Sequence, residues 1–113
     1  MRRFIIHRHF NNGPAGFTTG WGNGYVIIPK GHLMNGVDYN EINVDVHGGL
    51  TFADSVENLD KQDWHREVFL PEDADGWVVG FDTAHYGDTE ASWSEHMVQV
   101  ETDRLAQQLE AMQ

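Results

Sequence analysis

The segment GWVVGFDTAHYGD, residues 76–88, joins an apolar run to the densest group of chemically active side chains in the chain. Residues 76–82 form a short, mainly apolar run with two adjacent valines, which begins at a glycine and ends at an aspartate. Such a run is typical of a buried strand. Asp82 stands at the end of this run, and His85 and Asp88 follow at intervals of three. Residues spaced by three share a face of a helical turn, and a loop could also turn all three inward. The segment therefore predicts a strand that ends in two carboxylates and one imidazole.

A second motif, VHGGLTF at residues 46–52, overlaps the run INVDVHG at residues 42–48. Apolar and polar residues alternate in this run, which predicts a strand with two unlike faces. We expect Ile42, Val44 and Val46 on the buried face, and Asn43, Asp45 and His47 on the other. The polar face is either a place for acid–base or metal chemistry, or the solvated side of a half-buried sheet.

The glycines behind His47 allow a ligand to approach the main chain. Gly48, Gly49 and the Thr51 hydroxyl could offer close contacts to an anion, or the two glycines could form a bulge or tight turn. Three further residues, Lys30, His32 and Tyr86, are additional candidates for ligand contacts, the first two in PKGHLMNGVDY and the third for its aromatic ring.

The remaining patterns predict a small antiparallel or mixed sheet with one long C-terminal helix, which is an α+β fold of one domain over residues 1–113. We predict a strand at 3–9, a turn at 11–16, a hairpin with arms 17–21 and 25–28 around GNG, a strand end at Pro29, an ordered loop at 30–42 and an exposed acidic loop with short helical pieces at 53–75. A helix over 94–112 would follow a cap at Asp88 or Thr89 and carry an apolar stripe of Val98, Leu105, Leu109 and Met112. That stripe could cover the sheet or form a homodimer.

The amino-acid composition argues against some classes of function and of metal site. The 113 residues include 18 acids against 7 Lys and Arg, for a net charge of −11, which argues against direct nucleic-acid binding. An acidic surface that imitates nucleic acid remains open. No cysteine is present, so a metal site must use His, Asp or Glu. No apolar run is long enough to span a membrane, and the N-terminus does not resemble a signal peptide, so we expect a cytoplasmic protein.

The candidate catalytic set is His47, Asp82, His85 and Asp88, and the same four residues are the candidate metal ligands. They would suit Mg, Mn or Zn, or they could act without a metal as base, orienting acid and proton donor. In the structural alternative Asp82 caps a turn, Asp88 caps the terminal helix and His85 fills a polar slot.

Three stretches together resemble a family of uncharacterised small bacteriophage proteins: YVIIPKGHLMNGVDYNEINVDVHGGLTF, WVVGFDTAHYGD and VETDRLAQQL. The resemblance covers roughly residues 24–110 and rests on the VHGGLTF and GFDxAHxGD motifs, with Leu33 where proline is expected. It implies a viral protein made in the cytoplasm of an infected bacterium. By analogy with other phage accessory proteins, we expect a counter-defence factor that binds and hydrolyses a small nucleotide-like signalling molecule. A sponge that sequesters such a ligand, an acidic inhibitor that imitates nucleic acid and a structural virion role are the alternatives.

Overall fold

The computed structural model describes residues 1–8 and 18–112 of the chain. Within these ranges four strands form one antiparallel sheet in the order β1-β2-β4-β3: β1 Arg3–His7, β2 Gly22–Ile28, β3 Phe52–Ser55 and β4 Trp77–Phe81. The helices are α1 Val56–Lys61 and α2 Glu95–Glu110, with single 3-10 turns at Tyr39–Glu41, Arg66–Val68 and Pro71–Asp73. The predicted α+β class with one long C-terminal helix is confirmed.

The two central strands are buried on both faces, because each face meets a different layer. Side chains of alternate residues point to opposite faces of a strand. One face packs against α2 and contains Val26, Ile28, Val79 and Phe81. The other packs against α1 and the segment after it, and contains Tyr25, Ile27 and Val78 with the rings of Phe4, Phe52 and Trp64. The sheet therefore lies between two layers, and its apolar runs reflect burial on both sides.

Helix α2 confirms the predicted C-terminal helix and covers the sheet. Val98, Leu105 and Leu109 are fully buried, as the predicted stripe requires. The helix begins after Ser94, whose side-chain oxygen accepts a hydrogen bond from the Met97 N–H at 3.3 Å. The cap predicted at Asp88 or Thr89 is therefore wrong. Among the described residues, no helix combines the length and the apolar character needed to cross a membrane. The homodimer stays a prediction.

The predicted hairpin around GNG is wrong. Gly22, Asn23 and Gly24 lie inside β2 and pair with β1, in the register His7 opposite Gly22 and Ile5 opposite Gly24. Glycine is required at position 24 because a Cβ there would lie 2.0 Å from the Thr102 hydroxyl oxygen of α2. Gly24 therefore lets the helix approach the sheet, Gly22 lies close to the β1 backbone, and neither forms a turn.

Other boundaries follow the prediction more closely. The strand predicted at 3–9 ends at His7, and residue 9 lies outside the described residues, as do the turn at 11–16 and Phe17. Strand β2 ends immediately before Pro29, as predicted. The acidic segment 53–75 begins inside β3 and then contains α1 and two 3-10 turns, so its first three residues belong to the sheet.

The strand predicted at 42–48 is absent, because α2 satisfies the main chain of this segment. The Gln108 side chain accepts from the Asp45 N–H at 2.7 Å and donates to the Asp45 carbonyl at 2.8 Å. The Glu101 carboxylate accepts from the His47 N–H at 2.7 Å. Ile42 and Val46 are nevertheless buried in the core, so the apolar half of the predicted pattern is correct. Side chains of a helix take the place that a neighbouring strand would have had.

The acidic segment uses most of its charge within the fold. Five of its eight acids contact a polar or basic partner, and these are Asp54, Glu57, Asp60, Asp63 and Asp73. Asp73 is buried and binds the Arg2 guanidinium at 3.0 Å. Most of the negative charge of this segment is therefore used in contacts within the fold, and little of it is available to imitate nucleic acid.

Candidate functional site

The loop after β4 folds into a tight turn that brings His85 and Asp88 together. The Asp88 N–H donates to the His85 carbonyl at 2.9 Å, and the His85 N–H donates to Asp88 Oδ2 at 2.9 Å. Gly87 has a φ of +91°, which glycine adopts without strain. The three-residue spacing of His85 and Asp88 therefore corresponds to a turn, and the main chain of this turn binds the Asp88 carboxylate.

Asp88 is the centre of the cluster. His47 Nε2 lies 2.9 Å from Oδ1 and 3.0 Å from Oδ2, and His85 Nδ1 lies 3.0 Å from Oδ2. The Asp88 side chain is only 6% exposed, whereas the His47 and His85 side chains are 25% and 34% exposed. One buried carboxylate thus joins two imidazoles that face the solvent.

Asp82 does not complete this group, because it lies on the opposite side of His85. Its Oδ1 is 3.5 Å from His85 Nε2, whereas Asp88 faces Nδ1. A neutral imidazole has one N–H and one acceptor nitrogen, so it cannot donate to both carboxylates. A proton on each nitrogen satisfies both, and so does a metal ion on Nδ1 with a proton on Nε2. Asp82 therefore lies beside His85 Nε2, on the side of the ring away from Asp88.

Contacts with α2 and Trp93 hold His47 in position beside Asp88. The Glu101 carboxylate holds the His47 main chain, and the Arg104 guanidinium holds Glu101 with contacts of 2.9 and 3.1 Å. The Trp93 ring lies against the His47 ring with centroids 4.1 Å apart. Asp45, predicted to share a face with His47, is exposed and instead contacts Arg104 at 3.3 Å. The predicted Asp45–His47 pair is therefore wrong.

The backbone of Gly48 forms the floor under His85. A Cβ at this position would lie 2.3 Å from His85 Cε1 and Nε2, and the φ of Gly48 is +70°. Gly49 has a similar φ of +78°, yet a Cβ there would have open space around it. The first glycine is needed for both conformation and close approach, and the second for conformation alone.

Two carboxylates of this network have a lowered pKa. Burial alone would raise the pKa of Asp88, but hydrogen bonds from the His47 ring and from the main chain and ring of His85 outweigh it. Burial likewise works to raise the pKa of Glu101, and the hydrogen bonds from Arg104 and the His47 N–H outweigh that. These hydrogen bonds therefore favour the carboxylate form of both groups.

The cluster has the composition of a transition-metal site. His47, His85 and Asp88 each present a potential ligand atom within 4.8 Å of the other two. Two imidazoles and one carboxylate with open positions are a common donor set for Zn²⁺ and for catalytic iron. Ligand bonds of about 2.0–2.1 Å in a tetrahedron place neighbouring donors about 3.3 Å apart. The two distances from Asp88 to the imidazole nitrogens, 2.9 and 3.0 Å, are a few tenths of an ångström short of that geometry, and all three ligand atoms lie within 4.8 Å of one another.

The other predicted site residues divide into two groups. Thr51 donates to Asp82 Oδ2 at 3.0 Å, and Tyr86 follows His85 with its side chain 99% exposed, so both lie beside the cluster. Lys30 lines a separate cavity of about 400 Å³ with Arg2 and Asp73. His32 binds the Leu109 carbonyl through Nε2 at 2.8 Å and accepts from the Met34 N–H. The first of these contacts satisfies a carbonyl in the last turn of α2, and the second lies within the loop of His32.

Sequence reasoning missed the supports of the site, namely Glu101, Trp93 and Arg104. Glu101 and Gln108 lie on the flank of the apolar stripe in the sequence pattern, and a buried carboxylate has no local signature. The spacing of three between Glu101 and Arg104, with Gln108 four residues further, is the one signal that could have marked a polar stripe facing inward.

No known protein family, curated protein or solved structure matches this chain. The chemistry of the site must therefore be inferred from its own geometry.

Proposed function

We propose that the protein binds a divalent transition-metal ion of the Zn²⁺ class at His47, His85 and Asp88, and uses it to hydrolyse a small nucleotide-like ligand. The observation that carries the proposal is the convergence of these three side chains from segments about 40 positions apart. Their ligand atoms lie within 4.8 Å of one another, and both imidazoles are partly exposed to solvent.

The environment of each ring supports metal ligation. Histidines that bind metal commonly donate their second N–H to a carboxylate, which fixes the ring and its tautomer. Asp82 is placed for that role at His85 Nε2. On the other ring, Trp93 and the Glu101-bound main chain limit the orientations of His47. The cluster thus has the second layer of support that a metal site requires.

In the proposed reaction a water molecule would add its oxygen to phosphorus and give up one proton, a P–O bond would break, and the leaving oxygen would take up one proton. His47, His85 and Asp88 would hold a Zn²⁺-class ion, which would supply Lewis acidity and a nucleophile at neutral pH. Asp88 would balance part of the charge of the ion, and Asp82 would help to orient the His85 ring. The exposed edges of the two imidazoles leave an open side for the ligand.

The first test is metal binding. Titration of the chelator-treated protein with Co²⁺ should give the visible absorption of a tetrahedral or five-coordinate ion, and Zn²⁺ should displace it. His47→Ala and Asp88→Asn should each lower the affinity at least tenfold, because each removes a ligand. His96→Ala, which changes an exposed histidine of α2, is the matched control and should bind like the wild type.

The second test is turnover. Cyclic dinucleotides and ADP-ribose are incubated with the metal-loaded protein, with and without EDTA, and the products are separated by chromatography. Products that disappear with EDTA and in His47→Ala support hydrolysis. Intact ligand under every condition overturns the enzymatic proposal, and recovery of unchanged bound ligand after denaturation identifies the sponge.

The biological setting rests on the resemblance to small bacteriophage proteins. Hydrolysis of a nucleotide messenger in the cytoplasm of an infected bacterium would act against host defence. The alternative of an acidic inhibitor makes a different prediction: replacing Glu67, Glu72 and Asp75 by neutral residues would abolish activity, whereas the metal site would be unaffected.

A further inference from the structure

Asp82 and Thr51 form a polar pair beside the metal cluster that the hydrolytic scheme leaves partly unused. The Thr51 N–H donates to the Gly80 carbonyl of β4 at 2.9 Å, and the Thr51 hydroxyl donates to Asp82 Oδ2 at 3.0 Å. The Ala84 N–H donates to Asp82 Oδ1 at 3.0 Å. Both side chains are thus fixed by main-chain anchors before any ligand arrives.

The pair presents acceptors and no spare donor. An ionised carboxylate accepts about four hydrogen bonds, and the oxygen atoms of Asp82 have contacts to Thr51, Ala84 and the His85 ring. One accepting position remains on Oδ2, where Thr51 is its contact. The Thr51 hydroxyl donates its only proton to Asp82, so its own lone pairs remain as acceptors. Two acceptors therefore lie 3.0 Å apart, on side chains that are exposed or 28% exposed.

The chemistry of this pair excludes an anion and selects a double donor. Phosphate oxygens only accept hydrogen bonds, and the charge of Asp82 repels them. A vicinal diol offers two hydroxyl donors on adjacent carbon atoms, which suits two neighbouring acceptors. Carboxylates bind ribose hydroxyls in this way in dinucleotide-binding proteins.

The position of the pair matches the anatomy of a nucleotide. His85 separates it from the cluster, with Nδ1 facing Asp88 and Nε2 facing Asp82. A phosphate on the metal side and a sugar on the Asp82 side would lie about one imidazole ring apart. Tyr86, which follows His85, offers a fully exposed aromatic ring at the same turn.

We propose that Asp82 and Thr51 form a subsite for the vicinal diol of a ribose, so that the protein takes ribonucleotides in preference to deoxyribonucleotides. This inference rests on the proposed function for the placement of the phosphate, but it concerns a separate contact of the ligand.

The test compares the binding of ADP and 2′-deoxy-ADP to the Zn²⁺-loaded protein by calorimetry. ADP should bind about tenfold or more tightly, since it adds a hydrogen bond to a charged group. Asp82→Asn and Thr51→Val should each reduce this preference to about twofold or less. Thr51→Val keeps the shape of the side chain and leaves the contact of Asp82 with His85 in place. Asp60→Asn, a charge loss on α1, should keep the full preference.

Equal affinity for ADP and 2′-deoxy-ADP, no binding of either, or a full preference in both variants would overturn the subsite. Co²⁺ absorption recorded on the same proteins separates the two proposals. A normal Co²⁺ spectrum without ribose preference removes the subsite alone. A ribose preference without a Co²⁺ spectrum removes the metal-dependent function and keeps the subsite.

Discussion

Replacing Gly48 by alanine should damage the candidate site in a way that the same change at Gly49 does not. Both glycines have a left-handed φ, of +70° and +78°. An alanine in that conformation costs roughly 1–2 kcal/mol at either position. The two variants should therefore lose similar amounts of the free energy of unfolding from backbone strain.

The difference between the two variants lies in the contact with His85. A Cβ at position 48 would be 2.3 Å from the ring, and an ordinary van der Waals contact begins at 3.4 Å, so the ring must move by about 1.1 Å. A shift of that size can break the 3.0 Å contact between His85 and Asp88. A Cβ at position 49 meets nothing within 4 Å.

We expect Gly48→Ala to lower Co²⁺ affinity at least tenfold relative to Gly49→Ala, since supporting contacts of metal ligands are typically worth 10–100-fold. Urea denaturation gives the common loss of stability, and spectrophotometric titration gives the affinity. Equal Co²⁺ affinities in the two variants, with both folded, would refute the claim that the Gly48 backbone positions His85.

Three further outcomes are expected. His32→Ala should lower the free energy of unfolding by about 1–3 kcal/mol in urea denaturation, because a main-chain N–H and a carbonyl lose their partner, and should leave Co²⁺ affinity within twofold. The lowered pKa of Asp88 stabilises the fold above the ordinary aspartate pKa of about 4. This contribution is lost as the pH falls through the lower pKa of the folded state. The free energy of unfolding measured between pH 5 and 2 should therefore fall less steeply in Asp88→Asn. A wild-type slope in that variant would contradict the assignment. Glu101→Gln should weaken Co²⁺ binding about tenfold by loosening His47, and unchanged binding would show that the ring is held by other contacts.

The parts of the fold that the sequence predicts are those in which one interaction dominates. Residues 76–82 and 94–112 have strong apolar patterns, and burial in the sheet and against it gives β4 and α2. The run at 42–48 has an equally regular pattern but no neighbouring strand to pair with. Its partners are the side chains of α2, about 60 residues away, and no local pattern contains that information.

The site follows the same division. His85 and Asp88 are close in sequence, so their spacing predicts their contact. His47 lies against Asp88 in the structure, and its glycine motif is the local signal that grouped it with them. The contacts of Asp82 and His32 depend on how an imidazole ring is oriented: Asp82 faces Nε2 of His85, and Nε2 of His32 faces the Leu109 carbonyl. Tertiary contacts set these ring orientations, and residue type and spacing do not determine them.

The candidate site joins two parts of the molecule, the segment bound to α2 and the loop after β4. The main chain of His47 is hydrogen-bonded to Glu101 of α2, whereas His85 and Asp88 lie in the loop that follows β4. An ion held by all three would act as a staple between helix and sheet, and its binding energy would add to the stability of the whole chain. At a hundredfold excess over the dissociation constant the gain is about 2.7 kcal/mol, which for a chain of this length corresponds to a rise in Tm on the order of 10 °C. A thermal melt against a panel of metals would therefore reveal the preferred ion before any substrate is known.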